Sequence, residues 1–395
     1  MMWSQKEKEF IREHLNHDTN QLALQATRYS KELPNYSSLL AQIAARQQVR
    51  DKLPSWYSKE DLLYPPKLSI EQSSSEITAR YKSNLVSGET LADLTGGMGV
   101  DTAFLSQSFA KSYYIERQPE LVTVARHNFQ VLGLSKIETF NEEAVAFLKQ
   151  MNPVDCIYLD PARRGKTGKK LVLIEDCEPN LLGIQDLLLE KGKQVLIKLS
   201  PMLDITAVIR PLKNINKVYV LAVDNECKEL LCLMTAIPAN HPEVVCINFV
   251  KGNTSQELSF SYEEEKQSSP VCASEVKEFL YEPNAAILKA GFYKSIASRF
   301  DLEKLSPDSH LYTSSTYIAD FPGRRFRVEK TASMNKQELK LFLVDINAAH
   351  ISVRNFPLSA EDLRKRLRLK DGGDNYIFGT TLANKKHILV QCLKA

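Results

Sequence analysis

The residues best placed to do chemistry are a glycine turn and an acid that follows it at a set distance. The turn is Asp93-Leu94-Thr95-Gly96-Gly97-Met98-Gly99-Val100-Asp101; Glu116 stands 23 positions after Asp93, behind the apolar run Ser112-Tyr113-Tyr114-Ile115. Glycines between a strand-like run and a helical one let the backbone come close to a bound molecule. The free N–H groups that open a helix can then meet negative charge. A carboxylate placed as Glu116 is can accept both hydroxyls of a ribose. Turn and acid together predict a nucleoside site, and the alternative they leave open is a turn that only packs strand against helix.

Departures from the dinucleotide fingerprint decide which nucleoside. Gly97 and Gly99 supply G-x-G, but the third glycine position of G-x-G-x-x-G holds Thr102, and Asp93 lies where the loop begins. Negative charge there would repel a pyrophosphate and attract an amino group. S-adenosylmethionine therefore fits better than a dinucleotide.

Other candidates also follow strand-like runs. Glu142-Glu143 comes after Ile137 to Phe140, Asp160-Pro161-Ala162-Arg163-Arg164 after Cys156 to Leu159, and Ser200 to Asp204 after Gln194 to Leu199. In a doubly wound sheet ligands bind outside the carboxyl ends of the strands, near the point where strand order reverses, so these segments are expected on one rim. Asp160 is the best choice to orient an acceptor or take its proton, with Arg163 beside it. Asp204 and Lys198 are secondary, and Asp204 also reads as a cap for a helix beginning near Ile205. Arg163, Arg164, Lys166, Lys169 and Lys170 place five cations in eight residues, a loop suited to phosphate oxygens or simply to water.

The elements that must position these groups change character along the chain. Residues 1–84 read as helices, with Ser73-Ser74-Ser75-Glu76 matching a capping box that starts a helix to about Lys82. From about residue 85 to 240, short apolar strands alternate with helices, which predicts an α/β class with a Rossmann-like, doubly wound parallel sheet. Lys217 to Val223 and Leu230 to Met234 leave no room for a crossover helix and should pair antiparallel at one edge. Beyond Asn240, Val244 to Val250 and Leu258 to Tyr262 read as strands, Glu263 to Ser269 as an exposed linker and Glu275 to Phe300 as mainly helical. The last 75 residues read as a small α+β unit: strand Ile351 to Phe356, a helix capped by Ser359 with Leu363 and Leu367 inward, a Gly372-Gly373 turn, and a hairpin of Tyr376 to Leu382 with His387 to Leu393.

Bulk properties exclude several classes. With 43% hydrophobic and 25% charged residues the 395-residue chain is not disordered, and no apolar run approaches the ~18 residues that span a bilayer. The charged N-terminus lacks a signal core, so the cytoplasm is the expected location. Seven cysteines form no C-x-x-C pair and the histidines are scattered, which predicts no disulfide framework and no metal site. Charge is uneven: from Phe321 onward 15 Lys or Arg stand against 7 Asp or Glu. A basic C-terminal module, with Arg364, Lys365, Arg366, Arg368 and Lys370 on one helix, points to a polyanion such as RNA.

The segments DLTGGMGVD, YYIER, NEEAVAFL and IYLDPARRG resemble the motifs of class I S-adenosylmethionine-dependent methyltransferases. With EQSSSEITARYK, DCEPNL, KLSPMLD, NECKELL, VRNFPLSAEDLRKRLRLKDGG and IFGTT, the chain from about Tyr64 to its end is similar to one bacterial family. That family joins a helical region (1–84), the methyltransferase domain (85–240), a ferredoxin-like domain (241–322) and a THUMP-like domain (323–395). The resemblance implies that Asp93, Thr95, Gly96, Gly97 and Gly99 hold the methionine part and that Glu116 takes the ribose. Glu143 would lie by the adenine edge, unless it is a helix-start acid, and Asp160 with Pro161 would border the methyl. It also implies an RNA substrate, tRNA or rRNA, gripped by the Arg163–Lys170 loop and by Arg364 and Arg368. Amino-group methyltransferases show two prolines and an aromatic after the acid, where this chain has Pro161, Ala162 and Arg163. Carbon-5 pyrimidine enzymes are closer at DPARRG, but the position of their thiolate reads Lys198-Leu199-Ser200-Pro201, and Cys177 reads as a buried structural thiol. A non-catalytic nucleic-acid adaptor, or methylation of protein or a small molecule, are the readings left beside RNA methylation.

Overall fold

Helical chain returns each apolar strand of the first half to the same end of the sheet, which is what parallel pairing requires. The computed structural model describes residues 3–163, 174–250 and 254–395. They fall into two compact units, Met1–Ile215 with Leu231–Pro238, and Asn216–Leu230 with Ala239–Ala395.

In the first unit the strands are β1 (Gly88–Asp93), β2 (Phe109–Glu116), β3 (Ile137–Asn141), β4 (Val154–Leu159) and, after a short antiparallel ladder of β5 (Ala162–Arg163) with β6 (Cys177–Glu178), β7 (Gly192–Leu199). The order β3-β2-β1-β4-β7 is parallel throughout. Strand order therefore reverses between β1 and β4, and Asp93 and Asp160 stand at the carboxyl ends of those two strands. Leu91, Ala92, Ile157, Leu159, Val195 and Ile197 are fully buried, as expected of a sheet covered on both faces.

The helices of residues 5–83 are part of this unit's core. Val49, Leu53, Trp56, Ile70 and Ala79 pack in one cluster with Met98 of the glycine turn, Val100 and Phe104 of the helix after it, and Phe129 of the helix Pro119–Val131. The helix expected after Ser73 is present as Glu76–Ser83, but not through a capping box. Its first flanking residue is Ser75, whose side chain caps nothing. Instead the Glu76 carboxylate accepts from the Ser55 amide (2.8 Å) and from Arg80, while Ser74 turns inward to Asp101.

β8 (Ile215–Val223) and β9 (Glu226–Thr235), the second of which is divided between the two units at Leu230, are neighbours joined by Asp224 and Asn225, whose φ values of 49° and 64° suit a two-residue type I′ hairpin turn. The hairpin is not at an edge. β10 (Glu243–Val250) pairs parallel with β8, and β11 (Thr254–Ser261) pairs antiparallel with β10. Val244, Cys246 and Ile247 are buried, so β10 has to lie inside a sheet.

Two local expectations fail nearby. Glu263 to Ser269 is no linker: Tyr262–Gln267 is a helix, and Glu265 on it accepts the amides of Tyr293, Lys294 and Ser295. The stretch read as mainly helical holds a strand, β12 (Phe279–Pro283), before the helices Ala285–Ala290 and Ser295–Arg299. Then come β13 (Glu303–Lys304), β14 (Tyr312–Ser314), β15 (Gly323–Ser333), β16 (His350–Arg354), β17 (Tyr376–Thr381) and β18 (His387–Lys394). They form one sheet of order β13-β14-β12-β15-β18-β17-β16. The 11-residue β15 pairs with both β12 and β18, so the last 75 residues share their sheet with the strands before them. The expected helix is Ala360–Leu367, with Ser359 accepting the Asp362 amide and with Leu363 and Leu367 buried. Gly372 and Gly373 both have positive φ, and β17 with β18 is the expected hairpin.

Candidate functional site

The glycine turn is shaped by the acids at its two ends. Asp93, 1% exposed, accepts the Thr95 amide at 3.0 Å on Oδ1 and the Thr102 hydroxyl at 2.5 Å on Oδ2. Burial pushes its carboxyl up to about 7; the two hydrogen bonds oppose that, and the nearby Asp101 and Asp160 add to it. Gly96 lies so close to Tyr114 that a Cβ there would stand 2.2 Å from the ring. Gly99, at φ 84°, starts the helix Val100–Leu105. Around Gly97, at φ 53°, the Thr95 carbonyl is the one group, chain neighbours aside, that lies within 4 Å of where a side chain would begin among the described residues.

Glu116 closes the loop from the β2 side. Oε2 accepts the Gly97 amide at 3.0 Å and Oε1 the Gln118 amide at 2.9 Å. A carboxylate has about four acceptor directions, so each oxygen keeps one for another donor.

Asp160 is joined to the turn and to a buried network. Its amide donates to Thr95 Oγ1 at 2.6 Å, and its Oδ2 meets Lys198 Nζ at 2.5 Å. The Asp160 side chain keeps 35% exposure against 8% for Lys198. Lys198 also donates to Ser74 Oγ at 3.1 Å and lies 3.6 Å from Asp101 Oδ2. Lys82, with no exposed side chain, lies 3.0 Å from Asp101 Oδ1 and 2.7 Å from Ser74 Oγ. Tyr158 and Ser74 each donate to Asp101 at 2.8 Å. Burial alone would raise the Asp101 carboxyl, but Lys82 and Lys198 outweigh it and hold it well below the ordinary range. At Asp160 burial prevails and the carboxyl is raised, with Lys198 pulling the other way.

Ser74, Lys82, Asp101 and Tyr158 were not among the residues the sequence singled out. Asp101 closes the glycine motif, and a lysine among apolar positions, as Lys82 is, was the available signal. Ser74 was read as part of a helix start, which concealed it.

Other expected residues occupy plainer positions. Glu143, exposed, accepts the Ala146 amide at 2.9 Å and caps the helix Ala144–Gln150. Asp204 caps Ile205–Ile209 through the Ala207 amide, the structural use its position allowed. Pro161 is buried beside Asp160. The backbone of Arg163 lies in the ladder opposite Cys177, which is 3% exposed. Arg164, Lys166, Lys169 and Lys170 lie outside the described residues. In the second unit Arg364 pairs with Asp371 at 2.7 Å, and Arg368, exposed, ends its helix at φ 56°. No helix among the described residues is long and apolar enough to cross a membrane.

Comparison with known proteins agrees with this architecture. Residues 279–322 match the model of a ferredoxin-like domain and residues 323–394 that of a THUMP domain-like family. A crystal structure of a candidate methyltransferase from Porphyromonas gingivalis W83 is 33% identical, covers 100% of both chains and superposes with a TM-score of 0.88. An uncharacterised S-adenosylmethionine-dependent methyltransferase of Mycobacterium tuberculosis is 23% identical over 307 residues, 76% of this chain and 80% of the relative. A Shewanella 23S rRNA (uracil-C5)-methyltransferase, RlmD, is 32% identical over 118 residues, 27% of this chain and 26% of that one.

Proposed function

The chain belongs to the family of class I S-adenosylmethionine-dependent methyltransferases that carry a ferredoxin-like and a THUMP-like domain, and from that premise we propose that its methyl acceptor is RNA. The cofactor supplies an activated methyl group on a sulfonium. In this reading Glu116 takes the ribose hydroxyls with the acceptor directions its backbone partners leave. Thr95, Gly96, Gly97 and Gly99 line the methionine part, and Asp93 fixes that loop and, when ionised, adds negative character near the cofactor's amino group. Glu143 stands at the adenine end.

Asp160 borders the transfer point. Its Oδ1 makes no hydrogen bond among the described residues, so it is the atom to receive the proton that the acceptor gives up as it gains the methyl. Methylation at carbon-5 of a pyrimidine needs a thiolate. Cys156 is buried within β4 with its thiol pushed well up by burial, and Cys177 is buried within β6 of the β5–β6 ladder. A nitrogen or oxygen acceptor fits these surroundings better. Arg163, Arg164, Lys166, Lys169 and Lys170 are assigned to phosphates beside the transfer point, and Arg364 and Arg368 to phosphates at the THUMP-like domain. The cytoplasm, where RNA is modified, is the proposed location.

The observation that carries the RNA reading is the THUMP-like match on the most basic stretch of the chain; the partial likeness to an rRNA methyltransferase supports it. The test supplies tritium-labelled S-adenosylmethionine to the protein with RNA from a strain deleted for the gene. Label should enter RNA, and Glu116→Ala should weaken cofactor affinity at least tenfold, ~1.4 kcal/mol by calorimetry. Cofactor binding with label found only in protein or small molecules would sink the RNA assignment.

A further inference from the structure

Asp160 presents an oxygen to the transfer rim, and what keeps it there is a lysine. A lysine stem has four rotatable bonds and loses much freedom when fixed, so a buried ammonium needs partners that hold it. Lys198 has them on two sides: Ser74 Oγ and Asp101 from the chain beneath, and Asp160 Oδ2 from the rim. Lys82 faces the same Asp101 and the same Ser74 from the helix Glu76–Ser83. Two ammonium groups and two carboxylates make the cluster neutral when all four are ionised, which is the form in which low-dielectric burial costs least. Among the described residues the titratable groups facing Asp160 are Lys198 from β7, Asp101 from Val100–Leu105, Lys82 from Glu76–Ser83 and Asp93 at the end of β1.

We propose that Lys198 is the positioning residue that favours the carboxylate form of Asp160 and keeps it turned toward the acceptor, and that the N-terminal region holds Lys198 in place through Ser74 and Lys82. This deepens the methyl-transfer reading and rests on Asp160 standing at its transfer end. The region of residues 5–83 then forms part of the catalytic apparatus, because the Ser74 hydroxyl and the Lys82 ammonium it contributes fix a residue on β7.

The experiment titrates Asp160 directly, with the full chain labelled at aspartate carboxyl carbons and followed by NMR from pH 4 to 9; the resonance is identified by its loss in Asp160→Asn. Lys198→Met should raise the Asp160 midpoint by roughly one unit or more, since an opposite charge in contact is removed, and Lys198→Arg should restore it to within about 0.3 unit. Ser74→Ala, a smaller change that keeps both lysines, should raise it by about half a unit and decides the matter if Lys198→Met does not fold. In the labelling assay Lys198→Met should lower kcat about a hundredfold with KM for the cofactor within threefold, an effect that general-base loss commonly reaches. An Asp160 midpoint unmoved by both Lys198→Met and Ser74→Ala overturns the proposal. A shifted midpoint in a protein that labels no RNA leaves Lys198 as assigned and removes the RNA reading instead.

Discussion

Two clusters of buried charge, one in each unit, are built in opposite ways. In the first, Lys82 and Lys198 are almost wholly enclosed and the group that reaches the rim is a carboxylate, Asp160. In the second, the carboxylate is enclosed: Glu282, 1% exposed, lies between Arg324, which donates from Nε at 2.6 Å, and Arg354, at 2.6 Å, whose side chains keep 34% and 36% exposure. The first cluster balances when all four groups are ionised and shows a carboxylate to the outside. The second carries one positive charge more than it neutralises, with the cations outward. Burying the counter-ion holds the exposed partner in both cases, and the sign left exposed is negative in one and positive in the other.

The sharpest way to break this contrast is to unbalance the enclosed cluster. Lys82→Met leaves the buried Asp101 with one of its two lysines, and should destabilise folding by about 3–5 kcal/mol in denaturant titration, as for other broken buried pairs. A loss below about 1 kcal/mol would mean that the cluster is wetter than its geometry implies.

Acidity separates the acids within the same unit. Asp93 holds a proton in the folded chain up to about pH 7, whereas an unfolded aspartate releases it near 4, so its contribution should make stability fall as pH rises through that window, by an amount on the order of 4 kcal/mol at most. Asp101 acts in the other sense: its depressed pKa adds stability that is lost on acidification below about 4. Asp93→Asn should flatten the neutral limb and spare the acid one. A neutral limb unchanged in Asp93→Asn would remove Asp93 as its source.

The smallest effect belongs to the second cluster. Glu282→Gln strands two arginines that still reach water, so a loss of about 1–3 kcal/mol is expected, less than for Lys82→Met. Equal losses would erase the difference between the enclosed and the open arrangement.

Much of the site could be read from local chemistry. The Asp93–Gly99 turn, Glu116 and Asp160 follow strands whose apolar runs and spacing announce them, and Ser359, Leu363 and Leu367 take the cap and inward positions that helical periodicity gives them. What escaped was long-range. Glu265 looked like one of several solvated acids in a linker, yet its carboxylate holds three amides some 30 positions away. Ser74, 27 positions from Asp101 and 124 from Lys198, matched a cap because a serine before a helix usually is one.

The sequence by itself determined the kinds of element, the α/β class, the glycine turn and the acids that follow strands, because periodicity and turn chemistry act between residues close in the chain. Tertiary structure alone decided that β15 joins two regions into one sheet, that β8 and β9 lie inside theirs, and that Lys198 meets Asp160, Asp101 and Ser74. Strand neighbours and buried ion pairs depend on which surfaces the folded chain brings together, and no residue's type records its distant partner.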